Sequence, residues 1–251
     1  QRYAPGMTRF KLLLEYDGGP YVGWQRQKNG HSVQAALETA ARAFCGKDIA
    51  VHGAGRTDAG VHALGQVAHI DIAQDRDAET VLDALNHFLI DEPIVVLAAE
   101  AVNGEFHARF SATGRHYRYR ILNRRPRPAV NRGQVWWVPT VLDVEAMNDA
   151  AQELIGEHDF TSFRATLCQA KSPVKSIEKL TVRRDGEEIL IEVSARSFLH
   201  HQVRNIAGTL SLVGKGKWTR KDVADALAAR ERPAGGPTAP ADGLYLVRVD
   251  Y

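Results

Sequence analysis

Residues 53–65 read GAGRTDAGVHALG, and Asp58 is the one acid among them. A carboxylate set between glycines can attack as a nucleophile, take a proton, or stabilise a developing positive charge. Gly53, Gly55, Gly60 and Gly65 permit a tight backbone that a ligand can approach closely. Arg56 stands two residues before the carboxylate. A phosphate loop would end in Gly-Lys-Ser/Thr, and that ending is missing. The dinucleotide fingerprint fails as well, because Asp58 stands where its third glycine belongs. An ordinary loop with Asp58 in an Asx-turn is the plain alternative. His62 suits structural packing better than a catalytic dyad. Other chemistries find little footing. The sequence has no G-x-S-x-G elbow, no H-E-x-x-H and no C-x-x-C. His200 and His201 are adjacent, so their side chains are expected to diverge, which disfavours a metal pair. Cys45 and Cys168 are too few for a disulfide framework or a zinc site, and Cys45 is expected to be buried. Neither a metal nor a cofactor is expected.

The formal net charge is only +2, but it is unevenly spread. Residues 71–105 hold nine acids and one base, Arg76, whereas residues 107–140 hold eight arginines and no acid. Residues 141–160 hold six acids and no base, and residues 193–221 hold six bases and no acid. The arginine fork fits phosphate oxygens and stacks on bases. Tyr117, Tyr119, Trp136 and Trp137 lie in the first basic block, and Phe198 and Trp218 in the second. Basic and aromatic residues together mark a nucleic-acid groove, whereas a single charge run is usually a solvated face. Two separate acid-free blocks favour a polyanion partner.

These residues need a scaffold. Residues 10–16 (FKLLLEY) read as a strand, broken by Asp17-Gly18-Gly19-Pro20. Val33, Ala36, Leu37, Ala40, Ala41 and Phe44 recur with helical spacing, and Ser32 can cap that helix and Gly46 end it. A short strand at 49–52, the loop at 53–65 and a strand at 66–72 follow. Asp77 caps a helix carrying Val81, Leu82, Leu85 and Leu89, and 94–102 is a strand. The order is β-α-β-β-α-β. The second half repeats it more loosely. Residues 115–121 alternate, with Tyr117, Tyr119 and Ile121 on one face and His116, Arg118 and Arg120 on the other. Asp143 opens a helix that Gly156 should end. A long connection at 158–176 leads to strands at 177–183 and 189–195, joined at Asp185-Gly186. A helix carrying Val203, Ile206, Ala207, Leu210 and Val213 comes next, then a shorter one capped by Thr219. Residues 233–243 should be irregular, and 244–250 is a last strand.

The expected fold is therefore α+β. Two ferredoxin-like halves, residues 7–105 and 106–251, would share a continuous mixed, mainly antiparallel sheet with helices on one face and a cleft on the other. An open sheet face suits a large nucleic acid better than a small metabolite, although fold alone does not give function. A length of 251 residues agrees with two domains of about 125. The 44% hydrophobic and 25% charged content excludes a collagen, a coiled coil or a disordered tail. No stretch reaches the ~18–20 apolar residues of a membrane span, and residues 1–10 lack a signal-peptide core. A cytoplasmic protein is expected. Met7 reads as a natural start, with residues 1–6 an expression remnant.

Several stretches together resemble the tRNA pseudouridine synthase A family. GRTDAGVHA (55–63) carries the resemblance most strongly. EYDG (15–18), GWQRQ (23–27), FHARFSATGRHYRY (106–119), DFTSFRA (159–165), FLHHQVRNIAGTL (198–210) and GPTAPADGLYLVRVDY (236–251) follow the family's order over essentially the whole chain after Met7. The resemblance implies isomerisation of uridine to pseudouridine at positions 38, 39 and 40 of the tRNA anticodon stem-loop. Asp58 matches the catalytic aspartate; attack at C1′, attack at uracil C6 and proton abstraction through a glycal are all open to it. Arg204 matches the arginine that pairs with that aspartate, which would hold its pKa down. A phosphate contact is the plainer use of Arg204. Tyr117 matches the active-site tyrosine, able to stack on the uracil or help remove the C5 proton. Arg56 would fill the space of an extruded base, and Leu246 would pack beside the uracil. Plain core packing fits Tyr117 and Leu246 as well. The resemblance also implies a homodimer, with Asp58, Tyr117 and Arg204 meeting in the cleft. Arg109, Arg115, Arg118, Arg124 and Arg125 would then position phosphates rather than read sequence.

Overall fold

The computed structural model describes residues 6–28, 30–73, 76–166 and 168–251. Apart from Gly6, the expected remnant at 1–6 lies outside the described residues. Along the chain run β1 (Thr8–Tyr16), α1 (Val33–Cys45), β2 (His52–Gly53), β3 (His62–Ile72), α2 (Ala78–Phe88) and β4 (Ile94–Val102). Then come β5 (Gly114–Leu122), β6 (Trp136–Trp137), α3 (Val144–Ala151), β7 (Gly156–Asp159), β8 (Val174–Asp185) and β9 (Glu188–Ala195). The chain closes with α4 (Gln202–Gly214), α5 (Arg220–Ala229) and β10 (Leu244–Asp250). The strands are hydrogen-bonded in the order β4-β1-β3-β10-β5-β9-β8-β7, with β2 beside β3 and β6 beside β5. The pairs β1–β3, β1–β4, β5–β9 and β8–β9 are antiparallel and β5–β6 is parallel. The fold is thus α+β on a mixed, mainly antiparallel sheet, as its sequence pattern implies. Two compact units divide the chain: residues 1–113 with 246–251, and residues 114–245.

The first unit has the expected β-α-β-β-α-β order. Its helix boundaries are set locally. Ser32 Oγ accepts from Ala35 N at 3.2 Å, and Gly46, at φ 70°, ends α1 in a left-handed conformation. Asp77 Oδ1 accepts from Thr80 N at 2.7 Å to start α2. Each such N-cap contributes about 1 kcal/mol. Val33, Ala36, Leu37, Ala40 and Ala41 are buried on α1, as are Phe10, Leu12 and Leu14 on β1. β3 starts at His62 rather than at 66, which shortens the glycine-rich loop. A register shift between Leu14 and Tyr16 lets the chain keep pairing as far as Ala63. Gly65 permits this course, because a Cβ there would lie 2.3 Å from Val247 O.

The second unit departs further from its pattern. α3 stops at Ala151 and runs into a 3-10 turn, Gln152–Leu154. Gly156 does not end a helix; at φ 98° it turns the chain into β7. This strand occupies part of the expected long connection. It escapes a periodicity reading because it has only four residues and is stabilised by pairing with Val174–Ile177 of β8. β6 is shorter still. Gly186, at φ 58°, makes the tight turn between β8 and β9. α4 is buried along most of its length, hence its small and apolar residues. A Cβ at Gly208 would lie 1.7 Å from Pro237 O, so the Pro/Gly-rich loop at 233–243 runs hard against this helix. Among the described residues, no helix is long and apolar enough to cross a membrane.

Candidate active site

In the first unit Asp58 sits on a backbone pinned from its neighbouring loop. Gly23 has φ 110°, and a Cβ there would lie 2.7 Å from Thr57 O and 3.1 Å from the Asp58 carbonyl carbon. A Cβ at Gly18 would lie 2.0 Å from Val61 O. Gly18 and Gly23 therefore bring the 18–24 segment against the 57–61 backbone, with no room for a side chain at either position. Trp24 N donates to Thr57 O at 3.0 Å, and Val61 N donates to Asp58 O at 3.1 Å. Thr57 Oγ1 and Tyr16 Oη share a 2.8 Å hydrogen bond in the interior, and Gln66 Nε2 donates to Gly55 O at 2.9 Å. Burial pushes the Tyr16 phenol up to about 12, so it stays neutral and keeps its hydrogen bond across the physiological range. The buried His62 ring serves the same scaffold: its Nδ1 lies 3.0 Å from both the Gly18 amide nitrogen and Asp17 Oδ1. Asp58 itself is half-buried and Arg56 is exposed. A carboxylate that solvent can reach thus stands on a closely packed, hydrogen-bonded support, which is the arrangement a preorganised catalytic group needs. Leu246 is fully buried.

In the second unit Tyr117 lies half-buried on β5 opposite Val193, its ring edge-on to Phe198 at 5.2 Å. The start of α4 is unusual. His201 holds φ 63° and ψ 3° with no side-chain cap. Leu199 N donates to Gln202 Oε1 at 2.8 Å, while Gln202 N donates to Leu199 O at 3.1 Å, closing the turn. Gln202 Nε2 is buried without a hydrogen-bond partner among the described residues. A left-handed non-glycine and an orphaned donor each cost about 1–3 kcal/mol. Both precede Arg204 by at most three residues, and local rules are broken most often where function demands it. Arg204 is held at both ends by one residue: Nε donates to Ala239 O at 2.8 Å, and Ala239 N donates to Arg204 O at 3.1 Å. Asn205 Nδ2 donates to Phe163 O at 2.8 Å, and Thr238 Oγ1 donates to Asn205 Oδ1 at 2.6 Å. The stretches DFTSFRA, FLHHQVRN and PAGGPTAP are thereby knit together. The His200 and His201 rings do not diverge; their centroids are 4.0 Å apart. Divergence of neighbours assumes a regular backbone, and the left-handed turn at His201 removes that assumption.

Residues 13–111 and 150–251 match the family model described as tRNA pseudouridine synthase. The chain belongs to that family. It is accordingly an isomerase that acts on tRNA. The tRNA pseudouridine synthase A of Paramagnetospirillum magneticum is 58% identical over 98% of this chain and 96% of the relative. That of Rhodopseudomonas palustris is 60% identical over 98% of this chain and the full relative. The protein of the same name from Parvibaculum lavamentivorans is 56% identical over the same shares.

The arginine-rich block of this pseudouridine synthase is acid-free in sequence but not in space. Arg118 Nη2 meets Glu192 Oε1 at 2.8 Å, Arg120 Nη2 meets Glu188 Oε1 at 2.6 Å, and Arg124 Nη1 meets Glu187 Oε2 at 2.6 Å. All three acids come from β9 or the turn before it, more than sixty residues away in sequence. Arg115 is buried and donates to Arg196 O at 2.6 Å. Arg109 and Arg125 are exposed. Sequence reasoning also passed over Gly23, Tyr16, Gln66 and Gln202. Tyr16 alone had a usable signal, since it continues the inward phase of Phe10, Leu12 and Leu14.

Proposed function

We propose that the chain converts uridine to pseudouridine at positions 38, 39 and 40 of the tRNA anticodon stem-loop, with Asp58 as the catalytic residue. The C1′–N1 bond breaks, the uracil turns, C1′–C5 forms, C5 loses its proton and N1 gains one. The observation that supports Asp58 is its support: a reachable carboxylate on a loop fixed by backbone contacts and by the uncharged Tyr16, Thr57 and Gln66. Such a group meets a developing positive charge at C1′, or attacks, without reorganising. Tyr117 presents a ring and a hydroxyl for the uracil, and Arg204 steadies the carboxylate. Arg56 takes the place of the extruded base, and Leu246 forms apolar wall behind the uracil. Arg109 and Arg125 are exposed and suit phosphate contacts, and Arg115, Arg118 and Arg124 would exchange contacts within the protein for phosphate. The working form is a cytoplasmic homodimer without metal or cofactor.

Modified tRNA transcripts report on the site of reaction. Pseudouridine should map to positions 38–40 and vanish when those uridines are replaced; formation elsewhere at equal rate refutes the positional assignment. Arg204→Ala should bind tRNA and turn over poorly. Normal turnover by that variant removes Arg204 from the mechanism and leaves Asp58 in it.

A further inference from the structure

Phe110 has no part in the first unit's core or in the support of Asp58. Its side chain is 74% exposed, at the tip of a turn. That turn is rigidly built. His107 Nδ1 accepts from Arg109 N at 3.1 Å and from Phe110 N at 3.4 Å. His107 N donates to Ser111 Oγ at 3.0 Å, and Ser111 N donates to His107 O at 2.9 Å. Burial, with the neighbouring His52 and Arg9, holds the His107 ring below its ordinary value, so Nδ1 is available as an acceptor at neutral pH. The base of the turn is fixed as well. Arg9 Nη1 donates to Gly104 O at 2.8 Å and to Phe106 O at 2.7 Å. Ala108 N donates to His69 Nδ1 at 3.1 Å, and Tyr251 Oη donates to Ala108 O at 2.7 Å.

The ring is thus presented, not merely left outside. The His107 ring lies beside it at 4.4 Å between centroids, and the Arg109 guanidinium carbon is 5.6 Å from its centre. Residues 106–113 (FHARFSAT) contain no acid. Arg109 and Ser111, its chain neighbours on the turn, are exposed and polar, which gives the ring a polar setting. A flat aromatic face with a guanidinium alongside fits a nucleobase and its phosphate.

We propose that Phe110 is a stacking platform for an unpaired nucleobase of the tRNA, with Arg109 as the adjacent phosphate contact. This rests on tRNA as the substrate. Stacking releases no counterions, whereas a phosphate contact does, so the two residues must differ in their response to salt. Filter binding of a tRNA transcript across a series of KCl concentrations reads that difference. Phe110→Ala should weaken binding roughly 5- to 100-fold and leave the slope of log K against log salt unchanged. Arg109→Ala should reduce the slope by about one. Phe110→Trp should bind like the wild type, and all three variants should keep its melting temperature, since the side chains are exposed. Wild-type affinity in Phe110→Ala, or a changed slope, overturns the platform. So does a loss of self-association in that variant by sedimentation velocity, which would make the ring a protein contact. A wild type that binds no tRNA removes the substrate reading too, whereas a wild type that binds beside an unaffected Phe110→Ala removes the platform alone.

Discussion

In the first unit the loop of Asp58 is held largely by close backbone packing and neutral hydrogen bonds: glycine backbone against backbone, the Tyr16–Thr57 hydrogen bond, the Gln66 amide on Gly55. In the second unit β5 and β9 are tied by charge, Arg118 to Glu192 and Arg120 to Glu188, and α4 starts from the strained turn at His201. The contrast has a physical sense. A catalytic carboxylate needs a support that does not reorganise, and van der Waals contact between backbones does not weaken with salt. Strands that carry arginines in series, by contrast, need acids opposite them, and those pairs are screened by salt and by water.

The largest effect outside the chemistry itself is expected at Gly23. An alanine there meets both an unfavourable φ and a carbonyl oxygen 2.7 Å from its Cβ. A loss on the order of 2–3 kcal/mol in chemical denaturation should result, together with reduced turnover. Gly133 is the control, with φ 77° and nothing within 4 Å of the added Cβ. Gly133→Ala should cost about 1 kcal/mol and leave turnover intact. Equal costs at the two positions would mean that the close approach beneath Asp58 contributes nothing.

The next effect is one of pH. Burial, with Arg9, His52 and His107 nearby, lowers His69 from 6.5 to about 3. The folded ring therefore stays neutral where the unfolded one takes a proton. Stability of the first unit is full above pH 6.5 and falls as pH drops from 6.5 toward 3, by on the order of 1 kcal/mol per unit. Its Nδ1 must also stay unprotonated to accept from Ala108 N. Hydrogen exchange between pH 7 and pH 4.5 should show protection falling around His69 and residues 106–111 before it falls on β8 and β9. Uniform loss, or none, would contradict this.

These features differ in how far the sequence shows them. Ser32, Asp77, Asp143 and Thr219 all cap the helices they precede, because a cap is satisfied within three residues. The loop of Asp58 stands out for the same reason, its glycines and acid being contiguous. What the sequence hides is what long-range contact decides. Glu188 and Glu192 convert an apparently acid-free block into paired strands, and nothing near Arg118 or Arg120 in sequence announces them. Gly23 and Gly65 look like ordinary turn glycines until the backbones of residues 57–59 and 247 are placed against them. β7 exists only because β8 extends to meet it. Gln202 reads as an ordinary helix residue, and only burial reveals its orphaned amide.

The smallest effect is expected from the charged strands. A double-mutant cycle on Arg120 and Glu188, both about three-quarters buried, should give a coupling of roughly 1 kcal/mol that shrinks in 1 M salt. The cost of Gly23→Ala should not change with salt. A coupling that is salt-independent would erase the distinction between the Asp58 loop and the β5–β9 pair.

Release of tritium from C5-labelled uridine in tRNA tests the role of Asp58 most directly. The wild-type chain should release it, and Asp58→Ala, folded and still binding tRNA, should release none above background. Release by Asp58→Ala at the wild-type rate would contradict the assignment.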